Sequence, residues 1–254
     1  MTENRPETID SRSLLRDQYD GSNDDVYTSP EAVEKYAEEV YREGLFDGEE
    51  LVLDKYFLDE GATVLDLGCG AGRTTKPLAE RGFDVVGVDK SEEMVAAARE
   101  IHTELDFRVG DATALSFPDE SFDYVLFSNN GIDCIYPESK RTQALREVRR
   151  VLRPGGLFGF SSHNRLFFLP SLLTKFELVR GNYLSNGNRQ RIGSPYKTDS
   201  DEFGLDIYWG LPWRTKAQID DAGFELVEWI TKRESPLKYF EKLHRYVAMK
   251  PGRR

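Results

Sequence analysis

The chain has 254 residues, of which 39% are hydrophobic and 31% charged, a composition typical of one globular domain with additions. Its formal net charge of −11 argues against a nucleic-acid partner, because a protein that tracks phosphates usually presents a basic face. No apolar run approaches the roughly 18 residues of a membrane span, and residues 1–25 lack the pattern of a secretory signal. With two scattered cysteines and three histidines, we expect a cytoplasmic protein with neither disulfides nor a metal site.

Residues 1–60 are predicted to form an arm and two helices outside the main domain. Ser29 can cap the first helix, Pro30 suits its first position, and Gly44 can end it. Apolar side chains recur between them at helical spacing, at Val33, Tyr36, Ala37 and Val40. A second, short helix is expected over residues 49–57.

From residue 62 the pattern alternates between strands and helices. Strands are predicted at residues 62–67, 83–89, 106–109, 122–128, 157–161, 224–230 and 246–249. Helices are predicted at residues 73–81, 142–152 and 215–222, and another after the capping residue Ser91. Such alternation indicates a parallel sheet covered by helices on both faces.

Residues 163–212 interrupt this rhythm and are rich in aromatic side chains around a polar middle. We interpret them as an irregular insert that serves as a lid or a binding loop. Four basic side chains within the insert could bind an anionic acceptor, although at least half of them are more simply explained as solvated side chains of a loop. The four are Arg180, Arg189, Arg191 and Lys197.

The strongest motif is the segment Val64–Gly72, in which a buried strand runs into three glycines at alternate positions. A turn without side chains lets a ligand approach the backbone, and the helix that follows presents free N–H groups to an anion. Two acids accompany this turn: Asp89 ends the second strand and Asp111 follows the third. Both acids lie at the strand ends where open α/β sheets bind ligands, and Asp89 suits a ribose.

Together these segments resemble the class I S-adenosylmethionine-dependent methyltransferases, most closely the small-molecule group whose first motif is Asp-x-Gly-x-Gly-x-Gly. The likeness covers about residues 63–161 and includes Phe117–Asp123 and Leu152–Gly156. It implies an α/β, Rossmann-like three-layer sandwich with a seven-stranded, mostly parallel sheet, strand order 3-2-1-4-5-7-6 and an antiparallel last strand. Residues 61–254 would be the methyltransferase domain, with residues 1–60 part of the cofactor cover and residues 163–212 a substrate lid.

The resemblance also implies S-adenosylmethionine as the methyl donor and S-adenosylhomocysteine as the product. By the family pattern, the methionine end of the donor is lined by Asp66, Gly68, Cys69, Gly70 and Gly72. The residues assigned to its nucleoside are Asp89 and Lys90 at the ribose, Met94 near the adenosine, and Asp111 and Ala112 at the adenine. Ser128, at the end of the fourth strand, completes the cofactor set. Tyr19, Tyr27 and Tyr36 could close over the donor, although helix packing is the simpler explanation for Tyr36.

The methyl group on a sulfonium is already activated, so the protein mainly has to hold the acceptor in line in a dry pocket. Asn130 and His163, near the ends of strands four and five, are the candidate catalytic residues. A histidine suits proton transfer at neutral pH, but a histidine that anchors a loop is the simpler alternative.

A small-molecule acceptor is favoured over nucleic acid. The chain is acidic, and the strand-four segment lacks the Asp/Asn-Pro-Pro-aromatic tetrad that similar enzymes use on base amines. An RNA or protein methyltransferase and a non-catalytic S-adenosylmethionine-binding protein remain as alternatives. A nicotinamide oxidoreductase is disfavoured, because its fingerprint requires a glycine where this chain has Arg73. The methylated atom and the oligomeric state stay open.

Overall fold

The computed structural model describes residues 23–129, 131–169, 194–198, 204–232 and 236–252. Within these ranges no helix combines the length and the apolar character needed to cross a membrane. Asn130, Tyr19, Arg180, Arg189 and Arg191, all singled out from the sequence, lie outside the described residues.

Three helices precede the first strand: α1 (Asp24–Tyr27), α2 (Pro30–Arg42) and α3 (Asp47–Tyr56). The predicted start of α2 is confirmed, since Ser29 Oγ accepts the backbone N–H of Ala32 at 3.3 Å and Pro30 occupies the first helical position. In the first turn of α3, the Glu49 carboxylate reaches back to accept the N–H of Phe46 at 2.7 Å.

The central sheet has the predicted order, with strands β1 (Thr63–Leu67), β2 (Asp84–Asp89), β3 (Asp106–Val109), β4 (Phe122–Phe127), β5 (Leu152–Asn164), β8 (Glu225–Ile230) and β9 (Leu243–Met249). Hydrogen bonding gives the sequence β3-β2-β1-β4-β5-β9-β8, in which β1 to β5 are parallel. The last strand, β9, runs antiparallel to both β5 and β8. The loops that follow β1, β2, β3 and β4 therefore lie at one edge of the sheet, where the motifs meet.

Helices cover both faces of this sheet, as the alternation predicted. They are α4 (Thr75–Glu80), α5 (Glu92–Ile101), α6 (Glu138–Val151) and α7 (Pro212–Asp221). One apolar core joins the sheet to α6 and α7, through side chains such as Leu145 and Ile219. A second core joins the opposite face to α3 and α4, through side chains such as Val52 and Leu78. The result is a three-layer sandwich with α3 as part of one outer layer.

The predicted insert after the fifth strand, residues 163–212, is less irregular than expected, because parts of its described residues form strands. His163 and Asn164 end strand β5, and two further strands follow, β6 (Tyr196–Thr198) and β7 (Asp206–Gly210). Strand β7 pairs parallel with the end of β5, and β6 pairs antiparallel with β7. These strands are short and buried on both faces, so they lack the alternation by which a half-exposed strand is recognised.

Candidate functional site

A cavity of about 630 Å³ opens at the carboxyl edge of the sheet. The loops after β1, β2, β3 and β4 form its floor and sides, and the segment from Asn23 to Thr28 covers it from above. Nine residues from the predicted cofactor set lie on its wall, namely Gly68, Cys69, Gly70, Asp89, Lys90, Met94, Asp111, Ala112 and Ser128. The cavity is therefore the place where the sequence motifs converge.

The loop after β1 carries backbone rather than side chains into this cavity. Gly70 has a φ of +53°, and a Cβ built on it would have no heavy atom within 4 Å, so any side chain there would project into the open space. At Gly68 the φ is +68°, and a Cβ would lie 2.7 Å from the Phe127 ring. Gly72 differs, because it lies off the cavity wall, where a Cβ would lie 2.8 Å from the His102 ring.

Asp89 links the end of β2 to the glycine loop. One carboxylate oxygen accepts the N–H of Gly70 at 2.8 Å, and the other accepts the N–H of Ser91 at 2.9 Å. Burial raises the pKa of Asp89, although the backbone N–H groups oppose that shift. Each oxygen retains a further lone pair, so the carboxylate can hold the loop and still accept hydrogen bonds from a ligand in the cavity.

Asp66 lies beneath the glycine loop, off the cavity wall and 1% exposed. Its Oδ2 accepts the hydroxyls of Thr74 at 2.7 Å and Thr75 at 2.6 Å, which anchors the start of α4 to β1. Its Oδ1 is buried and has no hydrogen-bond partner among the described residues. Burial raises the pKa of Asp66 to about 6.

Residues after β2 and β3 shape the far end of the cavity. Met94 presents a fully buried side chain at the first turn of α5, which Ser91 caps at 3.1 Å. Asp111 accepts the N–H and the hydroxyl of Thr113, both at 2.7 Å. Burial would raise the pKa of Asp111, but these hydrogen bonds outweigh it and the pKa lies below its ordinary value. A carboxylate that stays ionised here is suited to accept a hydrogen bond from an amine of a ligand.

The cover is held in place by a buried asparagine, Asn23, which no motif or periodicity in the sequence marks. Asn23 Nδ2 donates to the carbonyls of Cys134 at 3.1 Å and Asp206 at 2.9 Å, while its Oδ1 accepts the N–H of Asp206 at 2.8 Å. Tyr27 places its hydroxyl 3.2 Å from Cys134 Sγ, and burial raises the pKa of Tyr27 well above its ordinary value. Tyr27 and Tyr36 both line the cavity.

A buried ion pair supports the cavity at the end of β4. Glu49 pairs with Arg73 through two hydrogen bonds, at 2.7 and 2.8 Å, and Ser128 Oγ donates to the same carboxylate. Arg73 also covers the face of the Phe46 ring, with its guanidinium carbon 4.1 Å from the centroid. Asn129 follows with a φ of +41°, in the left-handed region, and lines the cavity.

His163 lies away from the cavity wall and is 3% exposed. Its Nδ1 is 3.0 Å from the Asp133 carboxylate, and its ring lies 4.5 Å from that of Trp209. Asp133 also pairs with Arg141 at 2.7 Å, and both side chains are fully buried. The histidine thus belongs to a network that holds the short 3₁₀ helix Gly131–Cys134 against β5.

Comparison with known proteins matches part of this chain to a family. The model of the family described as "Methyltransferase domain" matches residues 64–156. The demethylmenaquinone methyltransferase of Renibacterium salmoninarum is 40% identical over 106 residues, which are 42% of this chain and 43% of that protein. The 2-methyl-6-phytyl-1,4-hydroquinone methyltransferase of Synechocystis is 39% identical over 112 residues, 42% of this chain and 34% of that protein. The matches thus span less than half the length of either relative.

Solved structures agree on the fold. A SAM-dependent methyltransferase from Methanosarcina mazei has a TM-score of 0.66 at 23% identity, over 83% of this chain and all of that one. Another from Aquifex aeolicus has a TM-score of 0.59 at 20% identity, over 87% of this chain and 98% of that one. At these identities the likeness shows the fold and leaves the acceptor undetermined.

Proposed function

We propose that this chain, whose residues 64–156 match the methyltransferase-domain family, transfers a methyl group from S-adenosylmethionine to a small molecule. The observation that carries this proposal is the cavity of about 630 Å³, on whose wall Gly70, Asp89 and Asp111 at the ends of β1, β2 and β3 meet Met94 of α5.

The residues at this cavity fit the donor. Gly70 leaves open the space that a side chain would fill, so a ligand can approach the backbone of the loop closely. Asp66 Oδ1 is a buried acceptor without a partner among the described residues, directly beneath that loop. Asp89 has lone pairs for two ribose hydroxyls, and Asp111 is an ionised acceptor for the exocyclic amine of adenine.

When bound, S-adenosylmethionine supplies an activated methyl group on a positively charged sulfur. The chain's own residues then have three tasks: they hold the donor against the glycine loop, exclude water, and orient the acceptor. The cover fastened by Asn23 serves the second task, because its buried hydrogen bonds fix α1 over the cavity. Asn129 and Ser128 at the end of β4 are the described residues suited to the third.

Two observations support a small acceptor. The relatives at 40% and 39% identity bear names that refer to quinone and hydroquinone substrates. The net charge of −11 opposes attraction to a polyanion. A cytoplasmic location accords with the sequence. Asn130 stays a candidate catalytic residue, whereas His163, which is buried off the cavity wall, is expected to have a structural role.

Methyl transfer is tested with labelled S-adenosylmethionine and a cell extract fractionated by size. We expect label in the low-molecular-weight fraction, and we expect it to survive ribonuclease and protease. Label that appears only in RNA or protein would promote the macromolecular alternative. Calorimetry that shows donor binding, combined with no transfer to any fraction, would instead favour a non-catalytic binding protein.

A further inference from the structure

A second, smaller pocket adjoins the large cavity on the α3 face of the sheet. Its volume is about 30 Å³, and Ser128 and Asn129 line both spaces. Its remaining polar lining comes from Glu49, Ser161 and Arg245, and its apolar lining includes Phe46 and Leu243. A space of this size holds one small polar group rather than a whole molecule.

Arg245 carries a positive charge into this pocket without a partner. It lies on β9 opposite Ser161 of β5 and is partly buried. Neither a hydrogen bond nor an ion pair joins its guanidinium to any other residue within the described ranges. Most other arginines near the sheet behave differently: Arg73, Arg141 and Arg153 each pair with an acid.

Gly48 makes room for this guanidinium. A Cβ built on Gly48 would lie 1.9 Å from both Nε and Cζ of Arg245, a distance that no real pair of atoms tolerates. Any residue with a side chain at position 48 would therefore push the guanidinium out of its present place. Gly48 therefore leaves the space beside the first turn of α3 in which the charged guanidinium of Arg245 lies.

The neighbouring acid does not neutralise Arg245. Both oxygens of Glu49 already accept two donors each: Arg73 and Ser128 on Oε1, Arg73 and the N–H of Phe46 on Oε2. This carboxylate has four lone-pair sites, and all are engaged. Its charge is balanced by Arg73, so the charge of Arg245 remains available to a ligand.

We propose that this pocket is the anchoring site for a carboxylate on the acceptor, which is thus a small organic acid. The proposal rests on the methyl-transfer function above. The planar guanidinium pairs with a carboxylate through two parallel hydrogen bonds. From there the rest of the acceptor extends past Ser128 and Asn129 into the large cavity, where the donor binds. Arg245 and Gly48 lie outside residues 64–156, so the acceptor is selected by parts of the chain that the family match does not cover.

The test measures binding of benzoate and of its neutral analogue benzamide to the full chain saturated with S-adenosylhomocysteine. We expect benzoate to bind the wild type and Arg245→Met to weaken that binding by about tenfold or more, since a charge-assisted pair is lost. Arg245→Lys keeps the charge but loses the two parallel N–H donors of the guanidinium, so it should bind benzoate with intermediate affinity. Benzamide affinity should change by less than about twofold in both variants.

Gly48→Ala supplies an independent variant, because it displaces the guanidinium without removing its charge from the protein. It should weaken benzoate binding several-fold while S-adenosylhomocysteine binding stays unchanged. Arg108→Met, at an exposed ion pair on β3 at the opposite edge of the sheet, is the matched control and should bind like the wild type. Wild-type protein that binds S-adenosylhomocysteine but not benzoate, or benzoate affinity that is equal in Arg245→Met, would overturn the proposal. Loss of S-adenosylhomocysteine binding in the wild type would overturn the function instead.

Discussion

Asp89 accepts the backbone N–H of Gly70 at 2.8 Å, so the end of β2 holds the glycine loop in its cavity-facing conformation. This contact joins the two motifs that the sequence identified separately. A residue assigned to the ribose therefore also shapes the loop assigned to the methionine end, and one substitution should affect both.

Asp89→Ala should weaken S-adenosylhomocysteine binding by a factor of about 5 to 150. It removes the acceptor for Gly70 and leaves the ribose hydroxyls unpaired, and an unsatisfied buried group typically costs about 1–3 kcal/mol. Calorimetry on the folded variant gives the affinity. Asp84→Ala, at the exposed start of the same strand, is the control and should bind normally. An Asp89→Ala variant that is folded and binds with unchanged affinity would remove Asp89 from the site.

Stability should fall as the pH rises through the range in which Asp66 ionises. Its pKa is about 6 in the fold and about 3.9 in an unfolded chain. Between these values the folded state binds more protons, so stability decreases with pH until the folded carboxyl has ionised. Asp66→Asn removes this dependence. From pH 5 to pH 7 the wild type should lose about 1 kcal/mol relative to the variant.

Urea unfolding at several pH values measures this difference. Asp84→Asn changes an exposed carboxyl and should follow the wild type across the range. If the free energy of unfolding changed with pH in the same way in the wild type and in Asp66→Asn, the pKa of Asp66 would not be raised in the folded protein.

Asn23→Ala should release the cover over the cavity. The change removes three hydrogen bonds to Cys134 and Asp206, so α1 loses its hydrogen-bonded attachment to β7 and keeps only apolar packing there. Hydrogen exchange at residues 24–28 should become faster, and S-adenosylhomocysteine should bind several-fold more weakly. Asp25→Ala, an exposed position on the same helix, should change neither quantity. Unaltered exchange in Asn23→Ala would show that other contacts hold the cover.

His163→Gln should lower stability with little effect on the rate of methyl transfer. The ring is buried against Trp209 and Asp133 and lies off the cavity wall. Once an acceptor is known, we expect kcat to stay within about threefold of wild type, whereas loss of a general base typically costs a factor of about 10²–10⁴. A rate loss in that larger range, in a variant that is folded and binds S-adenosylmethionine normally, would establish His163 as catalytic.

The sequence was sufficient for the central sheet and the cofactor edge because both depend on local patterns. Buried strands, capping residues and a glycine turn each leave a signal within about ten residues, and parallel topology brings their ends together. Asp89 and Asp111 could be placed in this way, and both lie on the cavity wall.

The parts that escaped prediction depend on contacts between distant segments. Arg73 is 24 residues from Glu49, Asn23 is 183 residues from Asp206, and Arg245 meets Gly48 across the whole fold. None of these residues shows a periodicity or a motif that reveals its partner. In the sequence Arg73 stands out only as a mismatch to a nicotinamide fingerprint, whereas the structure pairs it with a buried acid.

The attachment of Asn23 to Asp206 also sets an order of events during synthesis. Asn23 leaves the ribosome before the strand that holds it, which is made 183 residues later. At roughly 5–20 residues per second, the first helix waits on the order of ten seconds or more for its partner. Closing so long a loop carries an entropic cost that local elements do not bear. The cover over the cavity is therefore completed after strands β1 to β5, and a nascent chain that stops short of Asp206 lacks this attachment for its first described helix.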